Sequence, residues 1–338
     1  MAPMAPKAPK AGGLPLKPPI QPQLARSRKT LAEGEGIAYE PKYDGFRAIV
    51  FVDGDDVYVQ SRGAKPLLRY FPELEFPPGR YVLDGELVIT GDDGREVFDA
   101  LQARIHPAES RINMLAAETP ARYRAFDLLA EGNESLLERP FAERRAALVE
   151  LVKGLDGARD DGPGGHRAGS IELTPLTLDP DAAEPWITGG EGVICKELDA
   201  PYRPGARKGM TKYKRLRTID AVIAGWRPGK EEGTVGSLIL GLYDGGELRV
   251  VGHTSGLKAA EKRELVAKLA PYETGDRGSA DPSRWAGDRE LEWVSLRPEL
   301  VIEITFDHVT DGRIRHGSKI VRWREDKAPR DCTFDQLQ

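Results

Sequence analysis

The sequence contains little cysteine and little histidine. Its 338 residues include two cysteines, Cys195 and Cys332, and five histidines that are scattered along the chain. This scarcity excludes a disulfide scaffold, and the spacing of these residues is not that of a zinc site. We therefore expect both thiols to be ordinary packing residues.

Long apolar runs are also absent. No stretch approaches the length of a membrane span, and the first seven residues, MAPMAPK, lack the apolar centre of a secretory signal. Apolar residues make up 40% of the chain and charged residues 30%. These values predict a soluble, cytoplasmic protein without a membrane association, long enough for two domains.

The net charge of −5 does not by itself favour a nucleic-acid-binding protein, but the charges are segregated. Residues 205–217 contain six lysines and arginines and no acid, and residues 313–330 contain seven against two acids. Two basic stretches on an acidic chain indicate a local track for a polyanion, with solvated surface as the alternative.

The hydrophobic pattern divides the chain into three parts. Residues 1–30 are rich in proline, alanine and lysine, which predicts disorder at the start and an extended segment at the end. Beyond residue 217, short strands separated by glycine-rich turns surround one predicted helix, the plan of a small OB-type barrel. Between these parts, the pattern predicts a hairpin over 37–60, strands over 81–90 and 123–129, helices over 97–105 and 140–152, and a loop over 154–170.

The most informative stretch is Glu40-Pro41-Lys42-Tyr43-Asp44-Gly45-Phe46-Arg47. Lys42 is a candidate nucleophile, because an amine attacks a phosphoryl centre once its neighbours help to deprotonate it. Asp44 is a candidate ligand for a divalent cation, and Arg47 for a phosphate or ribose. A salt-bridged strand before a turn is the alternative for these residues alone.

A pair of carboxylates interrupts an apolar strand at Asp84-Gly85-Glu86. Alternation places Asp84 and Glu86 on one face, and Gly85 would let a ligand approach the backbone. Carboxylates on an interior-like face are costly unless a cation or hydroxyl meets them, so we expect a metal ion or a sugar there. Two acids on a half-exposed face are the alternative.

Three further segments carry candidate chemistry. Glu191-Gly192-Val193-Ile194-Cys195-Lys196 places an acid and a lysine at the two ends of an apolar run. The aromatic ring of Phe126 suits a purine, although an aromatic in a strand is usually a core residue. Lys212 and Lys214 share one strand face, which is repulsive unless an anion such as phosphate lies between them.

In chain order, these segments resemble the signatures of the covalent nucleotidyltransferases, and specifically of ATP-dependent DNA ligases. The resemblance covers almost the whole chain after residue 30, and seven motifs in the right order are far more specific than one. Residues 104–110 and 322–324 are most similar to the small C-type ligases of actinobacteria. The seven motifs are KYDGFR at 42–47, SRG at 61–63, LDGE at 83–86, FDLL at 126–129, EGVICK at 191–196, KYK at 212–214 and RWREDK at 322–327.

The resemblance implies an α+β fold in two domains. A nucleotidyltransferase domain of ATP-grasp-like antiparallel sheets with helices would occupy residues 31–217, and an OB-fold β-barrel would occupy residues 218–338. It also implies a monomeric ATP-dependent DNA ligase that seals 5′-phosphate/3′-hydroxyl nicks in double-stranded DNA during repair or recombination. Its cofactors would be ATP and Mg²⁺, or Mn²⁺, and its location the nucleoid-containing cytoplasm, where DNA repair proteins would be partners.

The same resemblance assigns roles to individual residues. Lys42 would take AMP from ATP as a phosphoramidate, Glu40 would read the amino edge of adenine, and Lys196 would lie on the phosphate side. The implied catalytic residues are Lys42, Lys212, Lys214, Asp326 and Lys327. The implied nucleotide-binding residues are Glu40, Arg47, Arg62, Glu86, Phe126, Glu191, Lys196 and Arg324. The implied metal ligands are Asp44, Glu86 and Glu191.

Some alternatives stay open at the level of the sequence. Any of Arg315, Arg322 and Arg324 could be the arginine that contacts the nucleotide. An RNA-capping guanylyltransferase or RNA ligase would use the same lysine chemistry with another nucleotide or acceptor. A non-catalytic OB-fold protein that binds nucleic acid is a rival of a different class.

Overall fold

The computed structural model describes residues 13–91, 94–155, 157–160, 166–214, 217–254, 256–278, 292–306, 309–310, 312–314 and 318–337. The chain divides into two compact units, Met1–Arg215 and Leu216–Gln338. This division lies beside the boundary predicted near Arg217. Arg315, one of the three arginines considered for the nucleotide, lies outside the described residues.

The first unit is built from two sheets and short helices. Its strands are β1 (Arg26–Arg28), β2 (Ile37–Pro41), β3 (Phe46–Gly54), β4 (Asp56–Ser61), β5 (Gly79–Val88), β6 (Arg122–Glu131), β7 (Glu134–Ser135), β8 (Arg159–Asp160), β9 (His166–Ala168), β10 (Ile171–Leu173), β11 (Val193–Glu197) and β12 (Met210–Tyr213). Its helices are α1 (Phe98–Arg104), α2 (Glu109–Glu118), α3 (Phe141–Gly154) and α4 (Glu184–Thr188).

The two sheets differ in strand order. The larger has eight strands, in the order β4-β3-β5-β6-β10-β9-β8 with β7 paired to β6. The smaller has the order β1-β12-β11-β2, and its register aligns Glu40, Ile194 and Lys212 across three neighbouring strands. Both sheets are mainly antiparallel, with parallel pairing of β1 to β12 and of β6 to β10.

The main core lies between the larger sheet and α3. Consecutive residues of the central strands are buried because both faces of the sheet are covered, and Val50 and Leu83 belong to the face that packs in this core. Leu148 and Val152 of α3, which are four residues apart, pack against these strand residues, as the sequence predicts.

Two irregular segments carry structure. Residues 13–25, where the sequence predicts an extended segment, pack on the first unit: Ile20 is buried and exchanges two hydrogen bonds with the side chain of Gln60. The backbone of Leu24 donates to the carbonyl of Ala206, and β1 then pairs with β12. The predicted loop over 154–170 contains β8 and β9, which extend the larger sheet.

The second unit is a curled sheet with one long helix. Its strands are β13 (Arg217–Pro228), β14 (Val235–Asp244), β15 (Glu247–Thr254), β16 (Glu273–Gly278), β17 (Trp293–Leu296), β18 (Val301–Phe306), β19 (Val309–Thr310), β20 (Arg313–Ile314) and β21 (Lys319–Trp323), and its helix is α5 (Ala259–Leu269). Strand β13 pairs along one edge with β14 and along the other with β18 and β17.

This sharing of β13 bends the sheet into a barrel. The path β15-β14-β13-β18-β21 is continuous, and a bridge between Thr254 and Ser318 joins its two ends. This closure encloses a core that includes Leu240 and Ile302. The predicted α+β class with a C-terminal OB-fold barrel is therefore confirmed.

In the part of the chain that the structure describes, no helix has the length and apolar character needed to cross a membrane.

Candidate active site

A cleft of about 170 Å³ lies in the first unit, where strands of the smaller sheet face strands of the larger one. Its walls bring together eight of the residues predicted for the site: Glu40, Lys42, Arg47, Arg62, Glu86, Phe126, Lys196 and Lys212. The motifs are separated by up to 170 positions along the chain, and strand pairing brings them to one place.

Lys42 follows the end of β2 and lies beside an acid and a second lysine. Its Nζ atom is 3.6 Å from Oε2 of Glu191, and the same oxygen accepts a hydrogen bond of 2.9 Å from Nζ of Lys214. The backbone N–H of Lys42 donates to the carbonyl of Gly192, which fixes the end of β2 against the start of β11. The side chain of Lys42 is 22% exposed, so its amine remains accessible.

The turn after Lys42 passes very close to β5. A Cβ atom on Gly45 would lie 2.2 Å from the carbonyl oxygen of Leu87 and 2.8 Å from Cγ of Glu86, so only glycine fits there. A Cβ atom on Gly85 would lie 2.5 Å from the ring of Tyr123. The prediction that Gly85 admits a ligand is therefore wrong, because β6 fills that space.

Asp84, which is fully buried, pairs with the partly buried Arg47 in the wall of the cleft. Nε and Nη2 of Arg47 each lie 2.6 Å from a different carboxylate oxygen of Asp84, and Tyr202 donates its hydroxyl to Asp84 at 2.6 Å. Burial lowers the pKa of Arg47, but the Asp84 carboxylate outweighs it and raises that pKa above its ordinary value. Asp84 is therefore neutralised by Arg47. It does not need the metal ion or sugar hydroxyl that the sequence predicts for it.

Glu40 and Lys196 meet at the other end of the cleft, under Phe126. Nζ of Lys196 lies 2.8 Å from Oε2 of Glu40, donates to the carbonyl of Phe126 at 3.1 Å and lies 4.7 Å from the centre of its ring. Arg47 lies 4.4 Å from the same ring. These contacts place Lys196 beside Glu40 and Phe126, both of which are predicted to hold the base, and its own phosphate-side role stays a prediction.

Positive charge dominates the opposite wall. Burial lowers the pKa of Lys212, and repulsion from Lys42, Arg207 and Arg62 lowers it further. A cluster of like charges becomes more favourable when an anion joins it, and a triphosphate would supply that charge. Arg62 lines this wall, and its backbone N–H donates to the carbonyl of Arg47.

Glu86 has an unusual protonation equilibrium. Burial raises its pKa to about 7, with Asp84 and Asp44 adding to the shift and Arg47 and Lys42 opposing it. A carboxyl that is half ionised near neutral pH gains strongly from a cation, so it is suited to a metal that arrives with the nucleotide.

The predicted metal ligands provide oxygen atoms but do not form a complete coordination site by themselves. No cluster of three or more acidic, histidine or cysteine side chains within the described ranges is arranged to hold a metal ion. Mg²⁺ is commonly held by one or two carboxylates together with waters and substrate phosphates. Asp44, Glu86 and Glu191 fit this kind of binding, and their metal role stays a prediction.

The second unit carries the other predicted residues. Arg324 contacts both carboxylate oxygens of Asp326 at 2.9 Å and both of Asp220 at 2.8 and 3.0 Å. The backbone N–H of Lys327 donates to the carbonyl of Arg324 at 3.4 Å. Arg322 instead pairs with Glu303 on the neighbouring strand. Arg324, Asp326 and Lys327 therefore form one exposed or partly exposed turn after β21.

Sequence reasoning missed several residues of the cleft. Arg207 and Gln23 line it, and the carbonyl of Gln23 accepts a hydrogen bond from Arg47 at 3.3 Å. Tyr202 supports Asp84, and Arg145 lies 3.6 Å from Glu40. The basic stretch that begins at Gly205 could have indicated Arg207 as a residue of the cleft. Arg145 could not be found in this way, because its sequence position does not differ from that of other polar residues on an amphipathic helix.

Fold and site together define a nucleotidyltransferase domain followed by an OB-fold barrel. The model of the ATP dependent DNA ligase domain matches residues 22–214, and that of the ATP dependent DNA ligase C terminal region matches residues 231–327. The chain belongs to the ATP-dependent DNA ligases, and the predicted ligase activity is confirmed at this level.

Its relatives include small mycobacterial ligases. The chain is 44% identical to DNA ligase C1 of Mycolicibacterium smegmatis and 43% identical to DNA ligase C of Mycobacterium tuberculosis, in each case over 96% of this chain and 95% of the relative. The predicted similarity to the C-type ligases is thereby confirmed.

Solved structures give the same result. The ligase domain of LigD from M. tuberculosis is 28% identical with a TM-score of 0.51, over 93% of this chain and 98% of that one. A mycobacterial DNA ligase D complexed with ATP matches with the same values. A Lig E DNA ligase is 18% identical with a TM-score of 0.54, over 90% of this chain and 98% of that one, and it shows the fold alone.

Proposed function

We propose that this ligase seals 5′-phosphate/3′-hydroxyl nicks in duplex DNA through an adenylate carried on Lys42. The observation that supports the proposal most directly is the geometry at Lys42, whose amine lines the cleft and shares the Glu191 carboxylate with Lys214. A nucleophilic amine, an acid within reach and flanking cations are the groups that nucleotidyl transfer requires.

In the first step, Nζ of Lys42 bonds to the α-phosphorus of ATP, and the bond from that phosphorus to the pyrophosphate oxygen breaks. The amine must first lose a proton, and Oε2 of Glu191 is a carboxylate oxygen only 3.6 Å away. Lys212 and Lys214 stabilise the negative charge that develops on the α-phosphate. Arg47, fixed by Asp84, supports the wall beside the base and sugar.

In the later steps, the 5′-phosphate of the nick attacks the adenylate phosphorus and Lys42 leaves as the amine. The 3′-hydroxyl then attacks the 5′-phosphorus, AMP departs and the strand is sealed. Each step exchanges one phosphorus bond for another, so the net reaction consumes one ATP and releases AMP and pyrophosphate.

Mg²⁺ is the metal that we propose for this chemistry, with Mn²⁺ as a substitute. Glu86 and Asp44, with Glu191, would hold it through oxygen atoms or through its waters. When bound, the metal would neutralise phosphate charge.

We also propose that the turn carrying Arg324, Asp326 and Lys327 acts on pyrophosphate during the first step, after a hinge movement near Arg217. Arg324 is held by Asp326 and Asp220, so the turn presents its charges as a preformed group. Asp326→Asn should slow adenylation from ATP at least tenfold, while nick sealing by protein that already carries AMP stays within twofold of wild type. Equal losses in both reactions would contradict this role.

DNA would be bound mainly through its phosphates, by the basic stretches, without sequence preference. We propose nucleoid-associated repair in the cytoplasm as the setting, with DNA repair proteins as partners and a monomer as the active form.

The test is to seal a nicked duplex with a labelled 5′-phosphate, using ATP and GTP in separate reactions. Ligation of DNA with ATP alone is expected. Sealing or labelling with GTP alone would favour a capping-type guanylyltransferase, and sealing of RNA nicks only would favour an RNA ligase. Binding of the nick without any nucleotide transfer would favour the non-catalytic alternative.

A further inference from the structure

One carboxylate oxygen in the cleft is buried without a donor. The side chain of Glu40 is 2% exposed, and its Oε2 atom pairs with Lys196 at 2.8 Å. Its Oε1 atom has no hydrogen-bond partner within the described structure. A buried oxygen in this state costs free energy, and a ligand that brings a donor removes the cost.

Arg145 on helix α3 stands next to this oxygen without bonding to it. Its Nη1 atom lies 3.6 Å from Oε1 of Glu40, which is too long for an N–H···O hydrogen bond, and this nitrogen also lacks a partner among the described residues. Nη2 donates to the carbonyl of Thr174, which anchors the guanidinium. The arginine therefore holds the charge of Glu40 in place while leaving Oε1 able to accept.

The unpaired oxygen distinguishes the two purines. Adenine presents an amino group at C6, which donates, whereas guanine presents a carbonyl oxygen there, which accepts. A fixed carboxylate oxygen accepts a hydrogen bond from the amino group of adenine and repels the carbonyl oxygen of guanine. Sites that recognise a hydrogen-bonding group in this way discriminate strongly, because the wrong ligand leaves buried polar atoms unpaired.

We propose that Arg145 is a positioning residue that sets the preference for adenine over guanine by orienting Glu40. The inference rests on the proposed function, in which a nucleotide is transferred to Lys42. Without the guanidinium, the Glu40 carboxylate would be held by Lys196 alone and could turn both oxygens toward that ammonium. Oε1 would then no longer meet the base in a fixed position.

The experiment compares nucleotide transfer to the full-length protein from α-labelled ATP and GTP, with kcat and KM measured for each. The variants are Arg145→Met, which keeps the length but removes the charge, and Arg145→Lys, which keeps the charge but cannot span Thr174 and Glu40. The matched control is Arg144→Lys, because Arg144 is the neighbouring buried arginine on α3 and pairs with Asp127 instead.

Arg145→Met should lower the ATP:GTP ratio of kcat/KM at least tenfold, mainly through a higher KM for ATP. Arg145→Lys should lower it about threefold or more, and this variant decides the test if Arg145→Met does not fold. Arg144→Lys should lower the melting temperature and leave the ratio unchanged.

A ratio that stays within twofold of wild type in folded Arg145 variants would overturn this inference and leave the proposed function standing. The same would hold for a ratio that falls equally in Arg144→Lys, because the effect would then be structural. Wild-type protein that accepts neither nucleotide would instead overturn the proposed function and this inference with it.

Discussion

The Nζ atom of Lys42 lies 3.6 Å from Oε2 of Glu191, although the two residues are separated by 149 positions in the chain. The pairing of β2 with β11 brings them together, with Val193 opposite Pro41 in the register. Lys214 reaches the same oxygen from the strand on the other side of β11. One carboxylate thus orients two amines whose positive charges would otherwise repel each other.

Glu191→Gln should slow the transfer of AMP to the protein by about 100-fold, because an amide neither accepts the proton of Lys42 nor neutralises Lys214. The measurement is single-turnover adenylation with labelled ATP. Glu197→Gln at the exposed end of β11, the strand that follows Glu191, is the control and should change the rate less than twofold. Equal rates in the two variants would show that Glu191 has no role in the transfer of AMP to Lys42.

Asp84→Asn should lower the free energy of unfolding of the first unit by about 2 kcal/mol, because the partly buried Arg47 would lose its charge-assisted hydrogen bonds to a fully buried carboxylate. Tyr202→Phe removes only a hydroxyl donor to Asp84 and should cost about 1 kcal/mol. Urea unfolding of both variants measures the difference. A loss below 1 kcal/mol in Asp84→Asn would show that the pair does not stabilise the fold.

The raised pKa of the Glu86 carboxyl should make the free energy of unfolding depend on pH. Its pKa rises from 4.5 to about 7 on folding, so the folded state binds the proton more tightly than the unfolded state. Stability from this group is present in full below pH 4.5 and is lost as pH rises through 7. Glu86→Gln removes the titration, and its advantage over wild type should grow from near zero at pH 4.5 to about 3 kcal/mol above pH 7.

Urea unfolding between pH 4 and pH 8, in a chelating buffer without nucleotide, measures this difference. The control is Glu118→Gln at the exposed end of α2, which makes the same chemical change outside the cleft. A constant difference for Glu86→Gln would contradict the raised pKa.

Much of the site could be predicted because its residues lie on strands. Two-residue alternation predicted Lys212 on the same strand face as Lys214, and the register aligns Lys212 with Ile194 and Glu40, which also line the cleft. Glu86 was predicted in the same way from its position in an apolar strand, and it lines the cleft.

The missed features depend on contacts that have no local pattern. Arg145 is one polar residue on a helix, and its relation to Glu40 arises only when α3 packs on the larger sheet. The partners of Asp84 come from β3 and from Tyr202, a residue 118 positions away. The proline-rich composition before Ile20 predicted an extended segment but not its partners, which are a few apolar residues and the Gln60 side chain.

The most direct test of the central claim is to incubate the full-length protein with α-³²P-ATP and Mg²⁺, map the labelled residue, and then add nicked DNA without ATP. Lys42→Ala is the comparison, and it should fold and bind the nick at low salt. We predict an acid-labile AMP adduct on Lys42 in wild type only, which the nick discharges as the strand is sealed. An adduct of equal amount in Lys42→Ala, or an adduct on Lys42 that nicked DNA cannot discharge, would contradict the account.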